Sequence, residues 1–291
     1  MPRAEAKLGF IGSGRVGTGL ALGLARAGRR VVAVASRDPA SAKKLAKRLP
    51  GACACTPQEV ADRTDLIFLT VPDDAIEAVA SGTRWRRGTA CVHCSGAGEI
   101  DLLAKAAADG AAVGSFHPLR MFGEPGKSFD LRGCAVAIAG PDALAKELAR
   151  LARALGAQPL RIPEGGRVLY HIAANFSGAL AIALVDEAVA LWRKLGIAER
   201  DALRGLLPLL RGTVENVEKL GAAGALGSVI ARGDIGTIRR HLDALSEFPE
   251  TLELYRVLSL RTIPLAIAKG TLAPARAKEI EALLLGSAKR G

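Results

Sequence analysis

Several small groups of residues in this chain have the types and spacing that chemistry requires. The first is the run Leu8-Gly9-Phe10-Ile11-Gly12-Ser13-Gly14-Arg15-Val16-Gly17. Apolar residues give way to glycines at 12, 14 and 17 and then to apolar residues at helical spacing, so the run reads as a strand, a tight turn and a helix start. Backbone N–H groups at such a helix start attract negative charge, and the pyrophosphate of a dinucleotide is the ligand that fits. Gly12 permits the turn, Gly14 the close approach of backbone to phosphate, and Gly17 the close packing of helix on sheet. Gly12, Ser13, Gly14, Arg15, Val16 and Gly17 are therefore the expected dinucleotide contacts.

The second group selects the dinucleotide. After the next apolar run, Arg30 to Ala35, an NAD site usually places Asp or Glu on the ribose hydroxyls, whereas this chain has Ser36 and Arg37. A hydroxyl and a guanidinium suit a 2′-phosphate, so NADP(H) is the expected cofactor. Asp38 has a different expected duty, capping the helix that Pro39 opens.

The third group carries polar tips. Ser95, in a glycine-flanked loop, could hydrogen-bond a reacting oxygen or nitrogen, and His117, held before Pro118, has the acid–base range for proton transfer. His171 and Asn175 stand four apart and so share a side of one helix, where an imidazole and an amide could orient a carbonyl. Arg232 is the candidate anchor for an anionic substrate, with Asp234 as the cap of the following helix. Each has a purely structural alternative: loop capping for Ser95, closing a strand end for His117, joining helix to sheet for His171 and Asn175.

These groups need elements to hold them. Short apolar runs alternate with helical patterns through the first half, and Leu66 to Val71 is apolar enough to be a strand buried on both faces. Thr70, Val71 and Pro72 close it at the carboxyl edge, where ligands of such sheets bind, and are expected beside the ribose or nicotinamide. Strands are expected at Thr89 to His93, Ala112 to Phe116, Arg132 to Ala139 and Pro159 to Ile162. Beyond Gly166 no strand is evident. A helix is expected from Val168 to about Leu195, buried among others, followed by Ala198 to Leu206, Leu209 to Leu220, Ile235 to Ser246, Glu250 to Ala268 with a kink or break at Pro264, and Pro274 to Leu285. The expected fold is α/β: an N-terminal Rossmann-type parallel sheet with extra strands over residues 1–164, followed by an all-helical C-terminal domain over 165–291.

Composition narrows the function classes. With 49% hydrophobic and 24% charged residues the chain is globular rather than disordered. Its formal charge of +11 is spread along the chain with no nucleic-acid-binding motif, so no nucleic-acid partner is expected. The uncharged span from Ile172 to Val185 is too short for a bilayer, and no membrane association is expected; the N-terminus enters its first strand at once, which predicts a cytoplasmic protein. Five cysteines, including Cys91-Val92-His93-Cys94 and Cys53-Ala54-Cys55, lack the usual metal spacings, so no metal is expected.

Over nearly its full length the sequence resembles the Rossmann-like family whose C-terminal half is the domain of unknown function DUF2520. The segments that carry the resemblance are Gly12-Ser-Gly-Arg-Val-Gly, Ala35-Ser-Arg, Val71-Pro-Asp, His93-Cys-Ser-Gly, Ser115-Phe-His-Pro-Leu, Tyr170-His-Ile-Ala-Ala, Leu206 to Asn216 and Ala231 to Leu242. The resemblance implies an NADP-dependent oxidoreductase acting on a small molecule and working as a homodimer. More distantly the chain is similar to pyrroline-carboxylate reductases, prephenate dehydrogenases and beta-hydroxyacid dehydrogenases. The prephenate dehydrogenases imply substrate roles for Ser95 and His117-Pro118. The hydroxyacid enzymes imply one for Asn175, with His171 where they carry lysine. The family's asparagine after Tyr-His falls later than Asn175, a departure that separates the two positions. The expected reaction is hydride transfer between NADP(H) and a small carbonyl, imine, alcohol or amine. A cofactor-binding sensor or scaffold, or a reductase with a flavin or deazaflavin acceptor, are the alternatives.

Overall fold

The computed structural model describes residues 6–122 and 130–286. The chain forms two compact units, residues 1–180 and 181–291, so the first helix beyond Gly166 belongs with the sheet.

In the first unit eight strands form one sheet in the order β3-β2-β1-β4-β5-β6-β7-β8. They are β1 (Leu8–Ile11), β2 (Val31–Ala35), β3 (Cys53–Ala54), β4 (Leu66–Leu69), β5 (Ala90–His93), β6 (Ala112–Pro118), β7 (Ala135–Ala139) and β8 (Gln158–Arg161). Helices α1 (Arg15–Arg26), α2 (Pro39–Ala46), α3 (Pro57–Arg63), α4 (Ile76–Ser81), α5 (Ala104–Ala108) and α6 (Asp142–Ala154) connect them, and α7 (Arg167–Ser177) follows β8. All neighbours run parallel except β6 and β7. No helix separates those two among the described residues, and a strand without a crossover returns antiparallel. That pairing lengthens β6: His117 lies within it opposite Ala137, not beyond its end as the sequence suggests.

β1, β4 and β5 are buried along their whole length because apolar layers cover both faces. On one face Phe10 stacks on Phe68 at 5.0 Å, and Phe116 meets Phe68 edge-on at 5.6 Å. Ile11, Ile67, Leu69, Ile76 and Leu103 fill the other. Asp38 caps its helix as expected, accepting from the N–H groups of Ala40 and Ser41, and at the next helix start Thr56 and Glu59 form a capping box over Pro57.

The second unit is helical, with most of α8 (Ala179–Lys194), then α9 (Glu199–Ala225), α10 (Ile235–Ala244), α11 (Pro249–Ala268) and α12 (Pro274–Leu284). Its core joins Ile230, Ile238, Ile263, Ala266, Ile280 and Leu284, and Asp234 caps α10 through the Thr237 N–H.

Three helix expectations need correction. The single helix from Val168 to Leu195 is interrupted at Gly178, whose backbone (φ −113°, ψ −96°) leaves the helical region. Nor is that stretch buried: Leu169, Phe176 and Ile182 are 74%, 65% and 60% exposed. Residues 167–194 are also long and apolar enough, by length and composition alone, to cross a membrane, which the shorter uncharged span did not suggest. Finally, the helices before and after Pro208 are one, and α11 continues through Pro264. Proline removes one intrahelical bond but its φ is helical; the burial of Ile263 and Ala266 beside Pro264 holds that turn in place. The real interruption of α9 is Gly221, at φ +69°.

Candidate functional site

The three glycines of the first loop differ in their surroundings as a dinucleotide cradle requires. Gly12 has φ +115°, and a Cβ there would stand 2.4 Å from the Thr70 carbonyl oxygen. A Cβ on Gly17 would stand 2.1 Å from the Gly12 carbonyl oxygen, so helix and strand are as close as backbone allows. A Cβ on Gly14 would meet nothing within 4 Å. That open space lies at the N-terminus of α1, whose first turn has neither a side-chain cap nor an acidic residue. Ser13 Oγ, alongside, is buried without a hydrogen-bond partner, a group waiting for an acceptor. Arg15 is exposed and Val16 packs on the core. This cradle fits a pyrophosphate.

At the end of β2, Ser36 is half-buried and Arg37 exposed, and the Asp38 carboxylate is turned into α2, its bonds to Ser41 and Ala40 holding it below the usual carboxylate range. The carboxylate is thus committed to the helix cap, with Ser36 and Arg37 beside it at the end of β2. Thr70 adjoins the loop: its hydroxyl donates to the Gly12 carbonyl at 2.7 Å and braces it. Val71 is half-buried and Pro72 exposed just beyond it.

The second cluster gathers two strands over. β4, β5 and β6 are in parallel register, Leu69 beside His93 beside Ser115, so their carboxyl ends share the sheet edge of the glycine loop. There His117 Nδ1 lies 2.9 Å from the Tyr170 hydroxyl, with the rings edge-to-face at 5.7 Å. The His171 ring stands 6.1 Å from that of His117. A Cβ on Gly96 would fall 3.0 Å from His171 Nε2 and 3.1 Å from His117 Nε2, so both imidazoles close on a residue that must be glycine. Burial, reinforced by Arg167 and His171, pushes the His117 pKa down to about 4.

Ser95 belongs to this cluster, and its hydroxyl is already bonded within the protein. It is buried, its hydroxyl donates to Asp73 Oδ2 at 2.6 Å, and it accepts the Gly98 N–H at 2.9 Å. Its proton is therefore engaged in holding the loop. The imidazole of His93 accepts the Ser95 N–H at Nδ1, and its Nε2 is buried without a partner; burial and Arg167 hold its pKa down at about 4. Asn175 is exposed one turn beyond His171, with no side-chain hydrogen bond among the described residues. Arg232 is exposed beside Asp234 in the other unit.

Sequence reasoning missed the residue that ties this cluster together. Arg167, the first residue of α7, is completely buried; Nη1 donates to Ser115 Oγ at 2.7 Å and Nη2 to the Ser95 carbonyl. Glu99 accepts its backbone N–H at 3.3 Å, and its Nε has no partner. Nothing in Gly166-Arg167-Val168 distinguishes this arginine from the chain's many exposed ones; only its one-turn spacing from Tyr170 hints at a shared face. The thiols near the site, Cys91 and Cys94, are pushed up by burial and stay protonated.

Fold and cradle define a Rossmann-type α/β protein with a helical C-terminal region. Residues 1–118 match the Rossmann-like domain, and residues 134–262 match DUF2520, a domain of unknown function. The chain thus joins a Rossmann-like domain to a DUF2520 domain, as the motifs imply. No curated protein matches it. Among solved structures it is similar to a Bacteroides fragilis protein provisionally named an NADP oxidoreductase, with 25% identity over 88% of this chain and 96% of that one and a TM-score of 0.68. Protein TM1727 from Thermotoga maritima is 22% identical, with 90% and 99% coverage and a TM-score of 0.75. The 1-pyrroline-5-carboxylate reductase of Streptococcus pyogenes is 16% identical, with 95% and 98% coverage and a TM-score of 0.61.

Proposed function

We propose that this protein is an NADP(H)-dependent oxidoreductase that reduces, or reversibly oxidises, a small molecule at a C=O or C=N bond. The observation that carries the reading is the shared sheet edge: the open Gly14 space after β1 and the His117–Tyr170–His171 cluster at the end of β6 lie at the same edge of one sheet. Its likeness to proteins named as NADP oxidoreductase and pyrroline-carboxylate reductase supports it.

In this reading the α1 N-terminus and Ser13 hold the pyrophosphate, and Ser36 and Arg37 hold the 2′-phosphate. The bound nicotinamide supplies or accepts the hydride. His117 handles the proton, His171 and Asn175 form the polar wall of the substrate space, and Ser95 with Asp73 fixes the 94–98 loop. The working form is a homodimer, supported by the exposed apolar stripe Leu210, Val214, Val217 and Leu220 on α9. Val217→Glu should then convert the dimer to monomer in sedimentation analysis, and a wild-type monomer would remove that part.

The decisive test is a calorimetric titration of the full chain with NADPH and NADH. NADPH should bind at least about tenfold tighter, and Arg37→Ala should remove most of that preference by deleting a charge-assisted contact. Equal dissociation constants, or no binding of either, overturn the assignment.

A further inference from the structure

Arg167 is a buried cation in an unusual electrostatic position. Its hydrogen bonds go to a serine hydroxyl and a carbonyl oxygen, its Nε is unsatisfied, and no described carboxylate pairs with its guanidinium. Burying such a charge costs several kcal/mol unless a negative charge stands near it. The groups around it are Ser95, Ser115, Asp73, His93, Glu99 and, one helical turn on, Tyr170, which bonds His117. Asp73 accepts the Ser95 hydroxyl and Glu99 accepts the Arg167 backbone N–H. Two weak acids remain near the guanidinium, the Cys94 thiol, which burial pushes up, and Tyr170, which alone of the two bonds an imidazole.

His117 needs such a neighbour. Held neutral at physiological pH, it has one proton, and giving it away without replacement would leave an imidazolate. Its Nδ1 is bonded to the Tyr170 hydroxyl, and its Nε2, beside Gly96 and His171 Nε2, has no partner among the described residues.

We propose that Tyr170, His117 and Arg167 form a proton relay in which His117 Nε2–H is given to the substrate while Tyr170 O–H reloads Nδ1 and Arg167 steadies the tyrosinate. The proposal rests on the oxidoreductase reading above. Once the substrate carbon has taken a hydride from the reduced nicotinamide dinucleotide, its oxygen or nitrogen bonds the Nε2 proton and the Nε2–H bond breaks. Nδ1 bonds the phenolic proton as the O–H bond breaks. The imidazole ends neutral in its other tautomer, and the tyrosinate balances the positive charge left on the nicotinamide. Half-buried Tyr170 then recovers a proton from water. In the oxidative direction every transfer reverses. Arg167 and Tyr170 are here positioning and relay residues, and of the three only His117 touches the substrate.

Two measurements on the full chain test the relay without a known substrate. The chain has two tyrosines, so in Tyr255→Phe protein the ultraviolet ionisation curve belongs to Tyr170 alone. Adding Arg167→Gln should move that midpoint up by about one pH unit or more, as loss of a nearby buried cation requires; Arg167→Lys, which keeps a charge, should move it less. An unmoved midpoint overturns the relay. Long-range nitrogen NMR of the wild-type protein should show His117 as the Nε2–H tautomer, with Tyr170→Phe disturbing that assignment; an Nδ1–H tautomer in the wild type also overturns it, whether or not the Arg167 variants fold. NADPH calorimetry on the same samples separates the two failures. Binding with the wrong tautomer sinks the relay alone, whereas no binding by the wild type sinks the oxidoreductase reading.

Discussion

The protein contains two histidine–tyrosine pairs of nearly the same geometry, one in each unit. His117 Nδ1 and the Tyr170 hydroxyl are 2.9 Å apart, and His241 Nδ1 and the Tyr255 hydroxyl 3.0 Å; both ring pairs meet edge-to-face at 5.7 Å. Burial raises both tyrosine pKa values, but Tyr170 is opposed by the Arg167 charge and Tyr255 by a hydrogen bond with Ser259. The first pair spans a sheet strand and a helix beside a buried cation and a second imidazole. The second joins α10 to α11 on an exposed surface. A shared contact therefore does not make a shared chemistry; the charge and burial around it decide what the proton can do.

The largest predicted effect probes that difference. Arg167→Gln should lose about 3 kcal/mol of unfolding free energy, because its hydrogen bonds to Ser115 and Ser95 disappear inside the fold. Arg240→Gln, near the second pair, loses only an exposed bond to Thr237 and should stay within about 0.5 kcal/mol in the same denaturant titration.

Acid should act on the first pair next. His93 and His117 have folded pKa values near 4 against an ordinary 6.5. Between those values the unfolded chain binds protons that the folded chain refuses, so these two histidines make stability fall as pH drops from 6.5 to 4 and add no further slope below about 4. His117→Gln should make the decline in melting temperature shallower over that window; an unchanged slope would mean that the ring titrates freely.

Gly96→Ala should cost about 1 to 2 kcal/mol by overpacking, since the new methyl meets the rings of His171 and His117. Its NMR shifts should centre on those two histidines, and NADPH affinity should stay within about twofold, as the cradle lies elsewhere. The smallest effect belongs to Tyr255→Phe, about 0.5 to 1 kcal/mol from one hydrogen bond, with no change in the His117 spectrum. A change there would join the two pairs and break the contrast.

Legibility followed the range of the interactions. The glycine loop, the Asp38 and Asp234 caps and the buried β4 run were readable because each depends on neighbours within a few residues. The break at Gly178 and the continuity through Pro208 and Pro264 were not: Gly178 leaves the helical region, whereas proline's own φ is helical and at Pro264 the burial of Ile263 and Ala266 holds the turn. At the site, Ser95, His117 and His171 were identifiable as polar residues of the right type, but Ser95's engagement with Asp73 and the exposure of Asn175 were not.

By itself the sequence determined the strand-turn-helix cradle and the change from sheet to helices, since periodicity and backbone sterics are local. Only the tertiary structure decided that Arg167 lies under Ser95 and Ser115, that Tyr170 meets His117 and that Gly96 must be small. The hydrogen bonds among them join residues 52 to 72 positions apart in the chain. Their energies depend on burial, which no single segment carries in its own composition.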